Sequence, residues 1–103
     1  MIRHIVLARF SPLTPHAAID GVFTHLANLR DVIPGLLRFD AGANVSPEGL
    51  ARGFTHAFVV DFETIAARDV YLSHPAHKAA GARLVETTEG GLDGILVIDI
   101  EIA

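Results

Sequence analysis

The chain has 103 residues, half of them hydrophobic, a formal net charge of −4 at pH 7 and no cysteine. This length predicts one domain over residues 1–103, and the missing cysteines exclude disulfides, thiolate catalysis and Cys-ligated zinc. The acidic balance without a basic cluster argues against a nucleic-acid partner. The early apolar run of residues 5–8 is too short for a signal or membrane segment. We therefore expect a cytoplasmic protein with no membrane partner.

The first half of the chain predicts a strand, a helix and a second strand. Residues 2–10 are rich in β-branched and apolar side chains, which favours a strand. Thr14 followed by Pro15 predicts the N-cap and first position of a helix that runs to about residue 31. Residues 36–45 predict the second strand. The apolar stripe of this helix has helical spacing and consists of Ile19, Val22, Phe23, Leu26, Leu29 and Ile33.

The second half of the chain begins with an irregular stretch over residues 46–53. The elements predicted after it are a strand over residues 54–62, a helix from 65 to about 71 capped by Thr64, a helix over 75–87 and a strand over 95–102. The resulting order, βαββααβ, predicts an α+β fold with a ferredoxin-like antiparallel sheet. In that fold the helices cover only one face of the sheet.

Both faces of the predicted strands are apolar. The first strand presents Val6 on one face and Ile5 and Leu7 on the other, and the last strand carries apolar residues on both faces as well. An antiparallel sheet with one wet face alternates apolar and polar residues. Because no helices remain to cover the second face, we expect a homodimer that packs sheet to sheet.

One stretch brings a phenol and two imidazoles close together: Tyr71, His74 and His77, with Pro75 between the histidines. Proline suits the first position of a helix and disfavours helical backbone before it. His74 is therefore predicted at the N-cap and His77 at the third helical position. The positive end of the helix disfavours an imidazolium, so a neutral His77 could accept a proton beside Tyr71. The alternative is that these imidazoles only cap the helix.

Two further histidines begin predicted strands. His4 and His56 each share a strand face with apolar residues, which is typical of a hydrogen-bonded, half-buried histidine. The two side chains could also line opposite ends of one cavity between the sheet and the helices.

The remaining polar residues give little sign of a metal or cofactor site. Asp69 with His74 and His77 is an imaginable set of metal ligands, but three or four converging ligands are needed, and we expect no metal and no cofactor. Arg68 and Asp69 have the pattern of ordinary solvated helix charges. No Gly-x-Ser-x-Gly motif supports serine hydrolysis.

Three stretches resemble the stress-responsive A/B barrel (Dabb) family. They are Arg3-His-Ile-Val-Leu-Ala-Arg-Phe10, Gly53-Phe-Thr-His-Ala-Phe58 and Tyr71-Leu-Ser-His-Pro-Ala-His77. With their spacing, the resemblance covers nearly the whole chain. It implies a dimeric α+β barrel built from two ferredoxin-like units, which agrees with the two apolar faces of the strands.

The resemblance also implies a small-molecule site. Plant members of this family include stress-associated proteins and a polyketide cyclase that closes an aromatic ring by aldol chemistry without a cofactor. Its catalytic tyrosine and histidine correspond to Tyr71 and His77. The resemblance implies that His4 and His56 line the pocket, and we expect Val6, Phe23 and His74 to bind substrate as well. This chain has no tryptophan and one tyrosine, so the family's substrate does not transfer to it.

Three functional hypotheses follow. The first is aldol or enolisation chemistry on a polyketide-like or other β-dicarbonyl small molecule, with His77 taking the proton and Tyr71 donating a hydrogen bond. The second is a non-enzymatic, stress-associated binding or structural dimer. The third is a cofactor-free monooxygenase, which rests on analogy between folds alone.

Overall fold

The computed structural model describes residues 1–103 and confirms the ferredoxin-like α+β fold. Its four strands form one antiparallel sheet in the order β2-β3-β1-β4. No helix is both long and apolar enough to cross a bilayer. The elements are β1 (Ile2–Ala8), α1 (His16–Ala27), β2 (Leu36–Ala43), β3 (His56–Phe62), α2 (Ile65–Ser73), α3 (Pro75–Thr87) and β4 (Ile95–Glu101), with short 3₁₀ turns at Asn28–Asp31 and Gly91–Gly94.

The hydrophobic core lies between the helices and one face of the sheet. Strand β1 occupies an inner position, paired with β3 along one edge and β4 along the other. Alternate residues of β1 point to the helices, and Val6 and Ala8 are almost fully buried there. Ile19, Val22 and Leu26 of the predicted α1 stripe pack against this face. The helical spacing read from the sequence therefore identified the buried side of α1.

Two predicted helix caps are confirmed. The Thr64 hydroxyl accepts a hydrogen bond from the Ala67 N–H at 3.1 Å and starts α2. His74 Nδ1 accepts one from the Ala76 N–H at 3.0 Å, and Pro75 is the first residue of α3. Each cap satisfies a backbone donor that the first turn of a helix leaves without a partner.

The predicted Thr14 cap is wrong. Pro15 occupies the N-cap position of α1, and no side chain caps that helix. The Thr14 hydroxyl instead donates to the Thr87 carbonyl at 3.0 Å, which also accepts the Ser11 N–H at the end of α3. Thr14 bonds a residue 73 positions away instead of the adjacent helix, and a pattern of neighbouring residues could not predict this.

Several predicted element ends are also displaced. Helix α1 ends at Ala27, because residues 28–31 tighten into a 3₁₀ turn. Strand β1 ends at Ala8, after which the Arg9 N–H bonds the Gly94 carbonyl and Phe10 forms only an isolated bridge with Thr88. Strands β2, β3 and β4 are shorter than predicted by one or two residues at an end, which is the usual uncertainty of such boundaries.

The sheet face opposite the helices, called the outer face below, is uncovered in the single chain. Leu96 and Ile98 of β4 are 41% and 51% exposed there. The Arg3–Asp61 ion pair, with an N–O distance of 2.8 Å, joins the two inner strands at one end of this face. The second apolar face expected from the strand pattern is therefore present. Its apolar members include Ile5, Leu7, Val59, Leu96, Ile98 and Ile100.

Replacing the α2 cap, as Thr64→Ala, is expected to cost about 1 kcal/mol of unfolding free energy and to lower Tm by roughly 4–8 °C. The reason is that the Ala67 N–H loses its acceptor. Thermal unfolding followed by circular dichroism checks this. Thr24→Ala on the exposed side of α1 is the matched control and should leave Tm nearly unchanged; equal losses in both variants would contradict the cap's role.

Candidate functional site

A cavity of about 230 Å³ opens between the sheet and helices α2 and α3. His4 and His77 are the only polar side chains in its wall. Leu72 and Val97, 42% and 51% exposed, belong to the wall as well and give the cavity an apolar opening beside edge strand β4. Other wall residues are Val6, Leu26, Phe58 and Leu84. An apolar concavity with a few converging polar groups is the usual form of a small-molecule site.

Tyr71 lies directly behind this wall and contacts His77, which belongs to the wall. Tyr71 lies near the end of α2 and His77 in the first turn of α3, and the break at His74 and Pro75 folds the two helices so that the ring centroids are 4.2 Å apart. Tyr71 is 1% exposed and also contacts Phe62. Burial raises the pKa of the Tyr71 phenol far above its usual value, so the phenol stays protonated.

The Tyr71 hydroxyl takes part in none of the side-chain hydrogen bonds of the structure. Arg9 Nε is the single side-chain polar atom that is both fully enclosed and without a partner, so the Tyr71 hydroxyl is not fully enclosed. The hydroxyl therefore keeps a narrow opening although the ring around it is buried. The hydroxyl has no protein partner, so it can donate a hydrogen bond to a molecule that reaches it.

His77 is arranged as a proton acceptor. Its Nδ1 lies 3.3 Å from the Leu72 carbonyl, and a carbonyl can only accept, so the neutral ring carries its proton on Nδ1 and leaves Nε2 free. Burial is the largest influence on this imidazole and lowers its pKa; the Leu72 hydrogen bond partly offsets that, and the neighbouring His4 lowers it further. Burial is thus a stronger reason for a neutral His77 than the helix terminus considered from the sequence.

A chain of polar contacts that the sequence analysis missed supports His4. His4 is 4% exposed, and its Nδ1 lies 2.7 Å from Asp99 Oδ1. The other Asp99 oxygen accepts a 2.6 Å bond from Arg68. Burial works against the Asp99 carboxylate, but the hydrogen bonds from Arg68 and His4 outweigh it and lower the Asp99 pKa. The interpretation of Arg68 as an ordinary solvated charge was therefore wrong.

A signal for this chain of contacts was present in the sequence. Asp99 stands at an inward-facing position of a strand that is otherwise almost entirely apolar, Ile95–Glu101. An acidic side chain at such a position needs a partner. The direct neighbour of Asp99 across the sheet is His4.

The structure does not bring the other predicted residues into the cavity. His56 and Phe23 pack together at the opposite end of the sheet, with ring centroids 5.9 Å apart, and burial lowers the His56 pKa. The Nδ1 of His74 is occupied by its capping bond. The predicted residues that do line the cavity are His4, Val6 and His77, with Tyr71 directly behind them. No group of three His, Asp or Glu side chains is placed to hold a metal ion.

The lowered His77 pKa predicts a loss of stability in mild acid. Below the ordinary histidine pKa of 6.5 the unfolded chain binds a proton at His77 more readily than the folded protein does. The stability that neutral His77 contributes is therefore fully present above pH 6.5 and is lost as the pH falls below it. Denaturant unfolding at pH 7.5 and 5.5 should show a smaller difference for His77→Gln than for the wild type. His25→Gln, on α1 outside the cavity, is the control and should keep the full difference; an unchanged difference in His77→Gln would refute the assignment.

Comparison with known proteins agrees with this architecture. The chain is 35% identical over 98 residues to the stress-response A/B barrel domain-containing protein HS1 of Arabidopsis thaliana, covering 95% of this chain and 86% of that protein. It is 28% identical over 80 residues to olivetolic acid cyclase of Cannabis sativa, covering 78% and 79% of the two chains.

Among solved structures, a dimeric ferredoxin-like protein of unknown function from Jannaschia sp. CCS1 superposes with a TM-score of 0.86 at 33% identity and covers 98% of each chain. The model of the stress responsive A/B barrel domain, Dabb, matches residues 2–102. With the fold, the family model and these relatives in agreement, the chain belongs to the Dabb family of stress-responsive A/B barrel domains.

Proposed function

We propose that this protein is a cofactor-free acid–base enzyme that enolises a small β-dicarbonyl compound and promotes its aldol reaction. The observation that carries the proposal is the ring contact between His77, a neutral imidazole in the wall of an apolar cavity, and Tyr71, which lies directly behind that wall with an unpaired hydroxyl. A base with a free nitrogen and a donor with no protein partner suit proton removal next to a carbonyl. The similarity to a cyclase supports the same class of chemistry.

In the proposed reaction, His77 Nε2 removes a proton from the carbon beside the carbonyl. The C–H electron pair forms the enolate, and the developing oxyanion accepts a hydrogen bond from the Tyr71 hydroxyl. The enolate carbon then attacks a second carbonyl, and the new alkoxide takes a proton from the His77 imidazolium. The base is regenerated, and neither a redox change nor a metal is needed.

The size of the cavity favours a small substrate. Its volume of about 230 Å³ lies below the roughly 300–1,000 Å³ typical of sites for drug-sized ligands. The apolar walls favour a compound that carries its polar atoms at one end, toward His4 and His77. A short β-dicarbonyl fits this description better than a long polyketide chain.

For the catalytic proposal, 2,4-pentanedione is the probe, and its conversion from keto to enol form is followed by absorbance. We expect saturable acceleration by the wild type and a loss of roughly 100-fold in kcat/KM for both His77→Ala and Tyr71→Phe. Tyr71→Phe should keep or slightly raise Tm, since it removes an unpaired hydroxyl.

An uncatalysed rate with the wild type, together with tight binding of the probe, would favour the non-enzymatic binding protein instead. A turnover that consumes oxygen would favour the monooxygenase alternative. Lys78→Ala, an exposed residue of α3 directly after His77, is the control and should retain the wild-type rate.

We propose in addition that the working unit is a homodimer joined through the outer face. The structural neighbours include dimeric ferredoxin-like proteins. The outer face leaves Ile98 and Ile100 of this chain 51% and 45% exposed, and a contiguous apolar surface on a soluble chain is typical of an interface. A face that contacts its own copy around a twofold axis satisfies this requirement without another partner.

A charge in the middle of that face should separate the subunits. Ile98→Glu is expected to convert the protein to a monomer in sedimentation velocity, because the carboxylate would be buried against apolar side chains without a partner. Leu92→Glu, at a 74% exposed position in the 3₁₀ turn before β4, should leave the mass unchanged. A dimeric Ile98→Glu protein would contradict the proposed interface.

A further inference from the structure

The mechanism above leaves one buried titratable group of the cavity without a proton-transfer role. His4 lines the cavity from β1, on the sheet side, whereas His77 lines it from α3. We propose that Asp99 and His4 form a second proton-transfer dyad, in which Arg68 holds Asp99 and His4 Nε2 delivers a proton to the substrate oxygen. This inference rests on the proposed function, because it concerns the same cavity.

The sheet itself builds the dyad. His4 and Asp99 are direct partners in the register of β1 and β4, so their side chains leave the sheet on the same face. The 2.7 Å contact between Nδ1 and Oδ1 orients the imidazole without help from a mobile loop. A catalytic group held on paired strands is positioned more rigidly than one carried by a loop.

The second nitrogen of His4 faces open space. Nε2 makes no hydrogen bond, and it is not fully enclosed, because Arg9 Nε is the single enclosed polar side-chain atom without a partner. His4 as a whole is only 4% exposed, and the open space it borders is the cavity. The free nitrogen is therefore directed to where a ligand would lie, beside the Tyr71 ring, whose centroid is 5.8 Å from that of His4.

Arg68 acts as a positioning residue. It donates to the Asp99 oxygen that His4 does not use, at 2.6 Å, so both carboxylate oxygens are bound. It precedes Leu72 by one helical turn on α2 and therefore ties that helix to β4 next to the opening of the cavity. This contact keeps Asp99 ionised and its Oδ1 directed at His4.

The two imidazoles differ in what faces Nδ1. His77 faces a neutral carbonyl, whereas His4 faces a carboxylate. A carboxylate at Nδ1 stabilises the positive charge that an imidazole gains on protonation at Nε2. Charge on His4 also disfavours a second charge on His77. The two imidazoles of the cavity thus have different partners: a carbonyl orients His77, the proposed base, and a carboxylate orients His4, the proposed proton donor.

The proton balance follows from this division. The carbon-bound proton goes to His77 Nε2, the C–H pair becomes the C=C bond, and the carbonyl oxygen takes a proton from His4 Nε2. The product is the neutral enol, and solvent exchange resets both imidazoles.

The charged and titratable groups around His4 are Asp99 of β4, Arg68 and Tyr71 of α2 and His77 of α3, while its β3 partner Val60 is apolar.

The test combines ¹⁵N NMR of the histidine rings with the 2,4-pentanedione assay. Asp99→Asn removes the charge of the dyad, and Asp69→Asn is the matched control, because Asp69 is an exposed carboxylate that contacts the same Arg68. We expect Asp99→Asn to change the tautomer and the ring ¹⁵N shifts of His4, because the Nδ1 contact loses its carboxylate, and to lower kcat roughly 100-fold. Asp69→Asn should leave both unchanged. Arg68→Met should give a smaller loss that Arg68→Lys partly restores.

The two proposals can fail separately. If the wild type and His77→Ala both show the uncatalysed rate, the proposed function fails, and the dyad is then decided by NMR alone: an unchanged His4 spectrum in Asp99→Asn overturns it. If His77→Ala is inactive but Asp99→Asn and His4→Gln turn over normally, the proposed function stands and the dyad is overturned. Should Asp99→Asn unfold, Arg68→Met with the same two measurements decides the outcome.

Discussion

Strand β1 is hydrogen-bonded along both edges, and the site depends on the register of those two ladders. Its inward face carries Val6 and Ala8 into the core and His4 into the cavity, while Ile5 and Leu7 point to the outer face. Because side chains alternate along a strand, a slip of one residue would exchange the two faces. His4 would then lose Asp99 and enter an apolar surface. Burial of a polar imidazole is tolerable only in the register that supplies its partner, so the same pairing that builds the core specifies the site.

The break between α2 and α3 is the second determinant of the site. It needs only His74, which accepts the Ala76 N–H, and Pro75, which begins the new helix. The direction of the chain changes there, and Tyr71 and His77 come into ring contact. Free acceptors and donors remain beside this contact, although pairing them internally would have raised stability. Polar groups left without partners next to an apolar cavity reduce stability, and such departures from good packing are typical of functional sites.

Sequence reasoning was most successful where the cause is local. The helix stripe of α1, the Thr64 cap and the helix start at Pro75 each depend on residues within a few positions of one another. It failed where a distant partner decides. Thr14 bonds the end of α3 instead of capping α1, and Asp99 meets a histidine 95 residues away. The antiparallel order correctly separated His4 from His56, but spacing could not show that the cavity reaches only His4.

Strand β4 links the cavity to the outer face. Its inward positions supply Val97 to the cavity wall and Asp99 to His4, and its outward positions supply Leu96, Ile98 and Ile100 to the uncovered apolar surface. As an edge strand, β4 is paired on one side only, so it is the least constrained strand that contributes to the site. A second copy packed on the outer face would contact the outward side chains of β4 and restrict the movement of the strand. Contact between the subunits would then limit the movement of Asp99 without touching the cavity. This gives a physical reason for a sheet that has helices on one face only and leaves its other face to a second copy.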